Sequence, residues 1–232
     1  MTINSDAEGA SGVQLPLMSR SPREISMRSR YSCRGWTWIT RKSDGRRIRV
    51  QFESLLEFLV IHMVATRANF ADLIEQPFEV AYVDATGRER RHTIDFLVIL
   101  DDGTRLATTV KPATKVTQEF REELAAVKRH LPSDLADDLI LVTDNDFTRA
   151  QAQNALRFIE FTKKPDPDAD NALINAMKSL HGIVKMTDLT AMTGIAGRGY
   201  RAAFRAAFCG QIRVLTEGII GQHSLIKMGD AA

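Results

Sequence analysis

Apolar and polar residues alternate with period two at 36–39 (Trp-Thr-Trp-Ile) and 48–52 (Ile-Arg-Val-Gln-Phe), the pattern of half-buried strands. Ser43-Asp44-Gly45 between them predicts the turn of a hairpin. The run "ESLLEFLVIHMVATRANF" at 53–70 reads as a helix that is apolar on nearly every face, and therefore buried. A strand is predicted at 78–83, turning through Asp84-Ala85-Thr86-Gly87. A second hairpin is predicted over 93–111, where two apolar arms flank Asp101-Asp102-Gly103. Phe120, Leu124, Val127 and Leu131 recur at helical spacing, so 117–131 is an amphipathic helix packed on a sheet. Leu139-Ile140-Leu141-Val142 is a short, fully apolar strand, and 146–161 is a further helix.

"TKKPDPDAD" then breaks the pattern with two prolines, acids and no apolar anchor. Beyond it, helices are expected at 171–180, 187–193 (stopped by Gly194) and 199–209. A hairpin is expected with arms at 212–215 and 219–226 and a turn at Glu217-Gly218. Three helices and a hairpin predict a small winged helix-turn-helix domain. The expected organisation is a disordered basic arm at 1–25, an α/β domain at 26–162, a linker at 163–170 and the winged-helix domain at 171–232. Antiparallel strands followed by a helix and a strand give the α/β domain a sheet of mixed pairing.

Composition adds little to this, since 232 residues that are 44% hydrophobic and 26% charged are ordinary for a globular chain. No apolar run approaches the roughly 20 residues that span a bilayer, and no secretory leader is seen at the N-terminus. Cys33 and Cys209 lie far apart, which gives neither a disulfide framework nor zinc spacing, so a reducing cytoplasm is expected. Charge changes the picture more. The formal net charge is only +2, yet Arg20, Arg23, Arg28, Arg30, Arg34, Arg41, Lys42, Arg46, Arg47 and Arg49 crowd one segment, opposed there only by Glu24 and Asp44. Such asymmetry points to a polyanionic partner; the plainer alternative is a solvated basic arm.

Acids and a lysine interrupt the apolar runs of the α/β domain. Glu57 falls on the helical wheel between Ile61 and Val64, where an unpaired carboxylate is costly to bury. Glu53 lies one turn earlier on nearly the same face. The alternative places both acids in water at a helix end. Asp95 interrupts the strand "TIDFLVIL", and Thr109 and Lys111, two apart on the facing arm, share a face. Pairing about Asp102-Gly103 makes Asp95 a cross-strand neighbour of the Thr109–Lys111 segment. A buried Asp95–Lys111 ion pair alone would be expensive. Two carboxylates, a backbone carbonyl and waters suit Mg²⁺, and the lysine then orients water or neutralises charge on a phosphate.

This constellation resembles the PD-(D/E)xK nucleases and, more closely, the N-terminal domain of TnsA, the endonuclease subunit of heteromeric bacterial transposases. The matching stretches are "SLLE" at 54–57, "EQP" at 75–77, "DFLV" at 95–98, "VKPA" at 110–113 and "VTDNDF" at 142–147 with Asn154 downstream, all within about 45–160. The resemblance implies a restriction-endonuclease-like mixed β-sheet core with flanking helices. It implies Glu57, Asp95 and Lys111 as catalytic residues, with Glu57, Asp95 and the Val110 carbonyl on Mg²⁺, or on Mn²⁺ as a substitute. The family normally has Glu or Gln two residues before the lysine; Thr109 stands there as a further candidate catalytic residue, its hydroxyl reaching Mg²⁺ through a water or leaving the site to Glu57, Asp95 and the Val110 carbonyl, and Glu53 is the candidate auxiliary acid.

The implied activity is cleavage of the 5′ ends of a mobile element in double-stranded DNA, in the bacterial cytoplasm. The implied partners are a DDE transposase (TnsB-like) and an AAA+ regulator (TnsC-like), with no membrane. Two alternatives stay open: a catalytically weakened nuclease fold acting in DNA binding or assembly, and a stand-alone phage or restriction-type nuclease. Candidate contacts to DNA or a partner are Arg41, Lys42, Arg46, Arg47 and Arg49, with Arg198, Arg201 and Arg205 at helical spacing near the C-terminus. A solvated basic face is the plainer reading of the last three.

Overall fold

The computed structural model describes residues 15–22 and 32–229. The chain opens with an antiparallel hairpin, β1 (Gly35–Thr40) and β2 (Arg47–Phe52), in the register Trp36↔Gln51, Trp38↔Arg49 and Thr40↔Arg47. Helix α1 (Leu55–Ala65) follows, then β3 (Phe70–Glu75), the ribbon β4 (Glu79–Val83) and β5 (Glu89–Thr93), and the pair β6 (Phe96–Leu100) and β7 (Arg105–Val110). Helix α2 (Gln118–His130) crosses over to β8 (Asp138–Val142), and α3 (Arg149–Thr162) closes this part. The central sheet runs β3-β6-β7-β8; its pairs are antiparallel except for β7 with β8, which is parallel. The mixed α/β core expected from the sequence is therefore present.

Alternation along the strands gives the sheet two apolar faces. Leu97, Ala107 and Leu139 face Phe120, Leu124 and Val127 of α2. Phe96, Val98, Val110 and Val142 face Val60 and Ile61 of α1 and the inner side of β1–β2, where Ile39, Ile48 and Val50 are each 1% exposed. Losing a ring as buried as Phe96 costs about 3–5 kcal/mol. The helix expected over 53–70 stops at Ala65; a turn takes 66–69, and Phe70 opens β3. A register shift between Phe70 and Asp72 breaks the alternation that would have marked that strand. Asp95 lies in the break between β5 and β6 rather than inside a strand. Among the described residues of the expected loose arm, Leu17 bridges Ile48, with Leu17 N–H on Arg47 O at 2.7 Å, and Arg20 pairs with Asp72 at 2.6 Å. Residues 1–14 and 23–25 of that arm lie outside the described residues.

The remainder forms α4 (Pro167–Met177), β9 (Val184–Lys185), α5 (Met186–Met192), α6 (Ala196–Phe208), β10 (Ile212–Val214) and β11 (Leu225–Met228). The strands make a three-stranded antiparallel sheet in the order β10-β11-β9. Helix α4 starts inside the stretch expected to be a linker. Asp166 caps it, Pro167 sits in its first turn where no N–H is needed, and Asp168 and Asp170 meet the positive end of its dipole. The second arm of the C-terminal hairpin is Leu225–Met228, and Ile220, expected in that arm, sits in a loop and fills the core instead.

Helix α3 serves both cores. Asn154 donates to Gly218 O and accepts from Ile220 N–H, each at 3.0 Å. Phe158 stacks on Phe208 at 4.5 Å between centroids, and Phe161 meets Phe204 edge-on at 5.2 Å.

Candidate active site

Local structure at the start of α1 gives Glu57 a double task. Ser54 is the N-cap, its Oγ accepting from Glu57 N–H at 3.1 Å while its hydroxyl donates to Glu57 Oε1 at 2.8 Å. Glu53 N–H donates to Glu57 Oε2 at 2.8 Å. Burial, with the nearby Glu53 charge adding to it, pushes the Glu57 carboxyl above its ordinary range, against the pull of those hydrogen bonds and of Arg34. Glu53 is itself held by an ion pair with Arg34 at 3.5 Å and by Gln76 Nε2, which donates to its Oε2 at 2.9 Å.

Asp95 sits where the β6–β7 ladder ends. Its N–H donates to Thr108 O at 3.1 Å, its carbonyl accepts from Gln76 N–H at 2.8 Å, and its Oδ2 accepts from Val110 N–H at 2.7 Å. Burial pushes this carboxyl up to about 7, and the charges of Glu57 and Glu53 push the same way, while the Val110 N–H and Lys111 oppose them. In a strand the N–H and C=O of one residue face the same neighbour, so the Val110 carbonyl also points to the Asp95 side. Lys111 is anchored by its N–H to Val142 O at 3.0 Å, and its Nζ lies 4.3 Å from the centre of the Phe120 ring.

Glu53, Glu57, Asp95, Val110 and Lys111 are thus brought to one edge of the sheet. Thr109 is not drawn in with them. It is 3% exposed, and its Oγ1 lies 3.0 Å from His92 Nε2, whose Nδ1 lies 2.9 Å from Glu123 Oε1 on α2. An ionised carboxylate only accepts, so His92 Nδ1 donates to Glu123, and Nε2 meets the threonine hydroxyl, a group that both donates and accepts.

Gln76 is the residue that sequence reasoning missed. It is 7% exposed, takes a left-handed backbone (φ 43°), and bonds to Asp95 through its backbone and to Glu53 through its side chain. Its Oε1 is buried with no hydrogen-bond partner. A strained, incompletely satisfied residue between two acids is the signature of a site that sets geometry before stability. The signal was the quoted "EQP", which carries no role in a reading by charge alone.

The basic candidates divide. Arg41 is tied to Asp44, and Lys42 reaches Ala68 O at 2.8 Å and Asp101 at 3.3 Å. Arg47 and Arg49 form no ion pair among the described residues, and Arg49 lies over Trp36 at 5.2 Å. Arg46, beside the turn, has a buried Nε with no hydrogen-bond partner. On α6, Arg198 pairs with Asp166 at 2.6 Å and Arg205 with Asp170, which knits α6 to α4; Arg201 is exposed.

A divalent cation fits the acid edge. Converging carboxylates, one raised to about 7, are relieved by a cation, and two carboxylates with one carbonyl leave room for water and phosphate oxygens, as Mg²⁺ prefers. Among the described residues no group of three or more His, Cys, Asp or Glu is placed to hold a metal ion by itself. No helix among the described residues is long and apolar enough to cross a membrane. Residues 68–143 match the family model described as TnsA-like endonuclease N terminal. That span includes Gln76, His92, Asp95, Thr109, Lys111 and Glu123, while Glu53 and Glu57 precede it. No curated protein matches the chain.

Proposed function

We propose, on the premise that residues 68–143 form a TnsA-like nuclease domain, that the chain is a divalent-metal-dependent DNA endonuclease of a transposition system. The observation that carries this reading is Asp95: a buried carboxylate held by the Val110 N–H, facing two further acids, with Lys111 beside it. Asp95 and Glu57 hold Mg²⁺ or Mn²⁺, with the Val110 carbonyl completing the protein's share. A bound cation of this kind stabilises charge on the phosphate and acidifies water. The chain's residues do the rest. Glu53, oriented by Gln76 and Arg34, deepens the negative potential that draws the cation. Lys111, its ammonium resting over the Phe120 ring, neutralises charge gathering on the phosphate as water adds to phosphorus and the bond to the leaving sugar oxygen breaks.

In this reading the substrate is double-stranded DNA at the ends of a mobile element, cut at the 5′ ends, with a DDE transposase (TnsB-like) cutting the 3′ ends. The C-terminal unit acts as a winged-helix module. Two of its arginines are committed to α4, which favours a protein partner such as an AAA+ regulator (TnsC-like) over a phosphate track. The test is nicking of supercoiled DNA in Mg²⁺ by the full chain, alone and with a partner transposase. Nicking that disappears in Asp95→Asn and Lys111→Ala supports the reading. No nicking by the wild type in the full partner complex overturns it.

One observation favours a second reading. The position where the family carries Glu or Gln holds a buried threonine committed to His92, which suits a subunit kept for DNA binding or assembly after its cleavage weakened.

A further inference from the structure

The hairpin β1–β2 turns one face inward and one outward. Thr37, Ile39, Ile48, Val50 and Phe52 form the inner face, and Ile39, Ile48 and Val50 are each 1% exposed. The outer face carries Trp38 opposite Arg49, Trp36 opposite Gln51, and Arg47 at the turn end. Trp36 is 45% exposed, its ring meeting Trp38 edge-on at 5.1 Å, with the Arg49 guanidinium 5.2 Å from its centre. No carboxylate among the described residues pairs with Arg47 or Arg49, unlike Arg20 and Arg41, whose Asp partners are in place. One step past the paired residues, Arg34 meets Glu53, the auxiliary acid of the candidate site. The outer face is therefore a row of cation, indole and cation that runs into the acid cluster. Strand rise puts Trp36 roughly 7 Å from the level of Glu53, about the span of two stacked bases.

We propose that this outer face is a track for an unpaired DNA strand, with Arg47 and Arg49 on phosphates and Trp36 stacked on a base beside the scissile phosphate. A base inside an intact duplex is already stacked on both sides, so a half-exposed indole can use only a base that is unpaired or turned out. Charge complementarity selects nucleic acid over a protein segment: the row has two cations without counterions and one large aromatic plane. The inference deepens the nuclease reading, and rests on it only for the position of the cut. It adds that the preferred substrate is locally melted at the cleavage site.

The chain has two tryptophans, Trp36 and Trp38, both on this face, so its indole fluorescence reports on nothing else. The experiment titrates the full chain, in excess chelator, with a short oligothymidylate and with a blunt duplex of equal length. Tryptophan quenching and the anisotropy of labelled DNA are both followed. The single strand is expected to quench the indoles, and Trp36→Ala to weaken its binding by about ten-fold, in the range for loss of one base stack. Trp36→Phe is expected to restore most of the affinity. Exposure of the ring keeps both variants folded, which melting curves verify. Absence of quenching by the single strand, equal quenching by the duplex, or unchanged affinity in Trp36→Ala overturns the proposal. Nicking by the same preparations is scored separately. Quenching without nicking, the latter assayed in Mg²⁺ with the full partner complex, sinks the nuclease reading and leaves the track standing, and nicking without quenching does the reverse.

Discussion

Thr109 Oγ1 and His92 Nε2 lie 3.0 Å apart, and the far side of that ring is held by Glu123. The hydroxyl at the position where the resembled family carries Glu or Gln is therefore spent on His92 and turned from the acid edge. Thr109→Val keeps the shape and removes the hydroxyl. It should leave His92 Nε2 unsatisfied and cost about 1–3 kcal/mol in thermal melting, with nicking close to wild type. A fall in nicking beyond about ten-fold at unchanged melting temperature would put Thr109 in the catalytic machinery.

Metal binding has a readout apart from cleavage. Millimolar Mg²⁺ or Mn²⁺ should stabilise the wild type by about 1.4 kcal/mol for each ten-fold excess over Kd, seen as a rise in melting temperature. Asp95→Asn loses a ligand charge and keeps the fold, so that rise should vanish. Melting curves with and without chelator decide it, and an equal rise in both proteins removes Asp95 from the metal site.

Gln76 offers a way to separate positioning from folding. At φ 43° glutamine and alanine carry the same Cβ strain and glycine relieves it, so Gln76→Gly should be more stable than Gln76→Ala by about 1 kcal/mol. Both lose the amide that holds Glu53, and nicking should fall by about ten-fold in each, an expectation drawn from the cost of misplaced catalytic groups. Full activity in Gln76→Gly would show that Glu53 needs no such guide.

Glu75 sets a pH dependence. Its side chain is 1% exposed and accepts from Ser19 Oγ and from Gln51 N–H; burial, the largest cause, raises its pKa above the ordinary 4.5, although Arg20 and the hydrogen bonds pull it down. A raised folded pKa means that the folded chain holds this proton more tightly than the unfolded one. The stabilisation is full below 4.5 and is lost as pH rises through the folded value. Both hydrogen bonds end on the same oxygen, so Glu75→Gln keeps them. Its melting temperature should exceed the wild type's at about pH 8 and lose that advantage near about pH 4. Parallel melting curves would contradict this.

Where the pattern was regular, the fold was legible in the sequence. The spacing of Phe120, Leu124 and Val127 found α2, and the alternation around Trp36 and Val50 found β1–β2. The turn of the 93–111 hairpin was legible, because Asp102-Gly103 is a strong turn signal, and the register that follows sets Asp95 across from Thr109, where its carboxylate reaches the Val110 N–H. Strand β3 was hidden by its bulge, and α4 by a proline and acids that serve equally as helix-starting signals and as linker composition. The acids and the lysine of the site were legible because charge in an apolar run is conspicuous. Gln76 and the His92–Glu123 pair were not, because their meaning lies in contacts across 23 and 31 residues of chain.

Helix α3 carries a consequence for how such a protein is assembled over evolution. Its Phe158 and Phe161 insert into the C-terminal core and its Asn154 grips the loop before β11, while its other side lies on α1. A recombination breakpoint in the apparent linker would hand the C-terminal unit to a new host without the aromatic wedge that completes it, and leave the donor with a greasy stub. The cassette that travels whole begins before α3, at the turn after β8. Grafts joined there should inherit a sealed interior, and chimeras joined at 163–166 should precipitate.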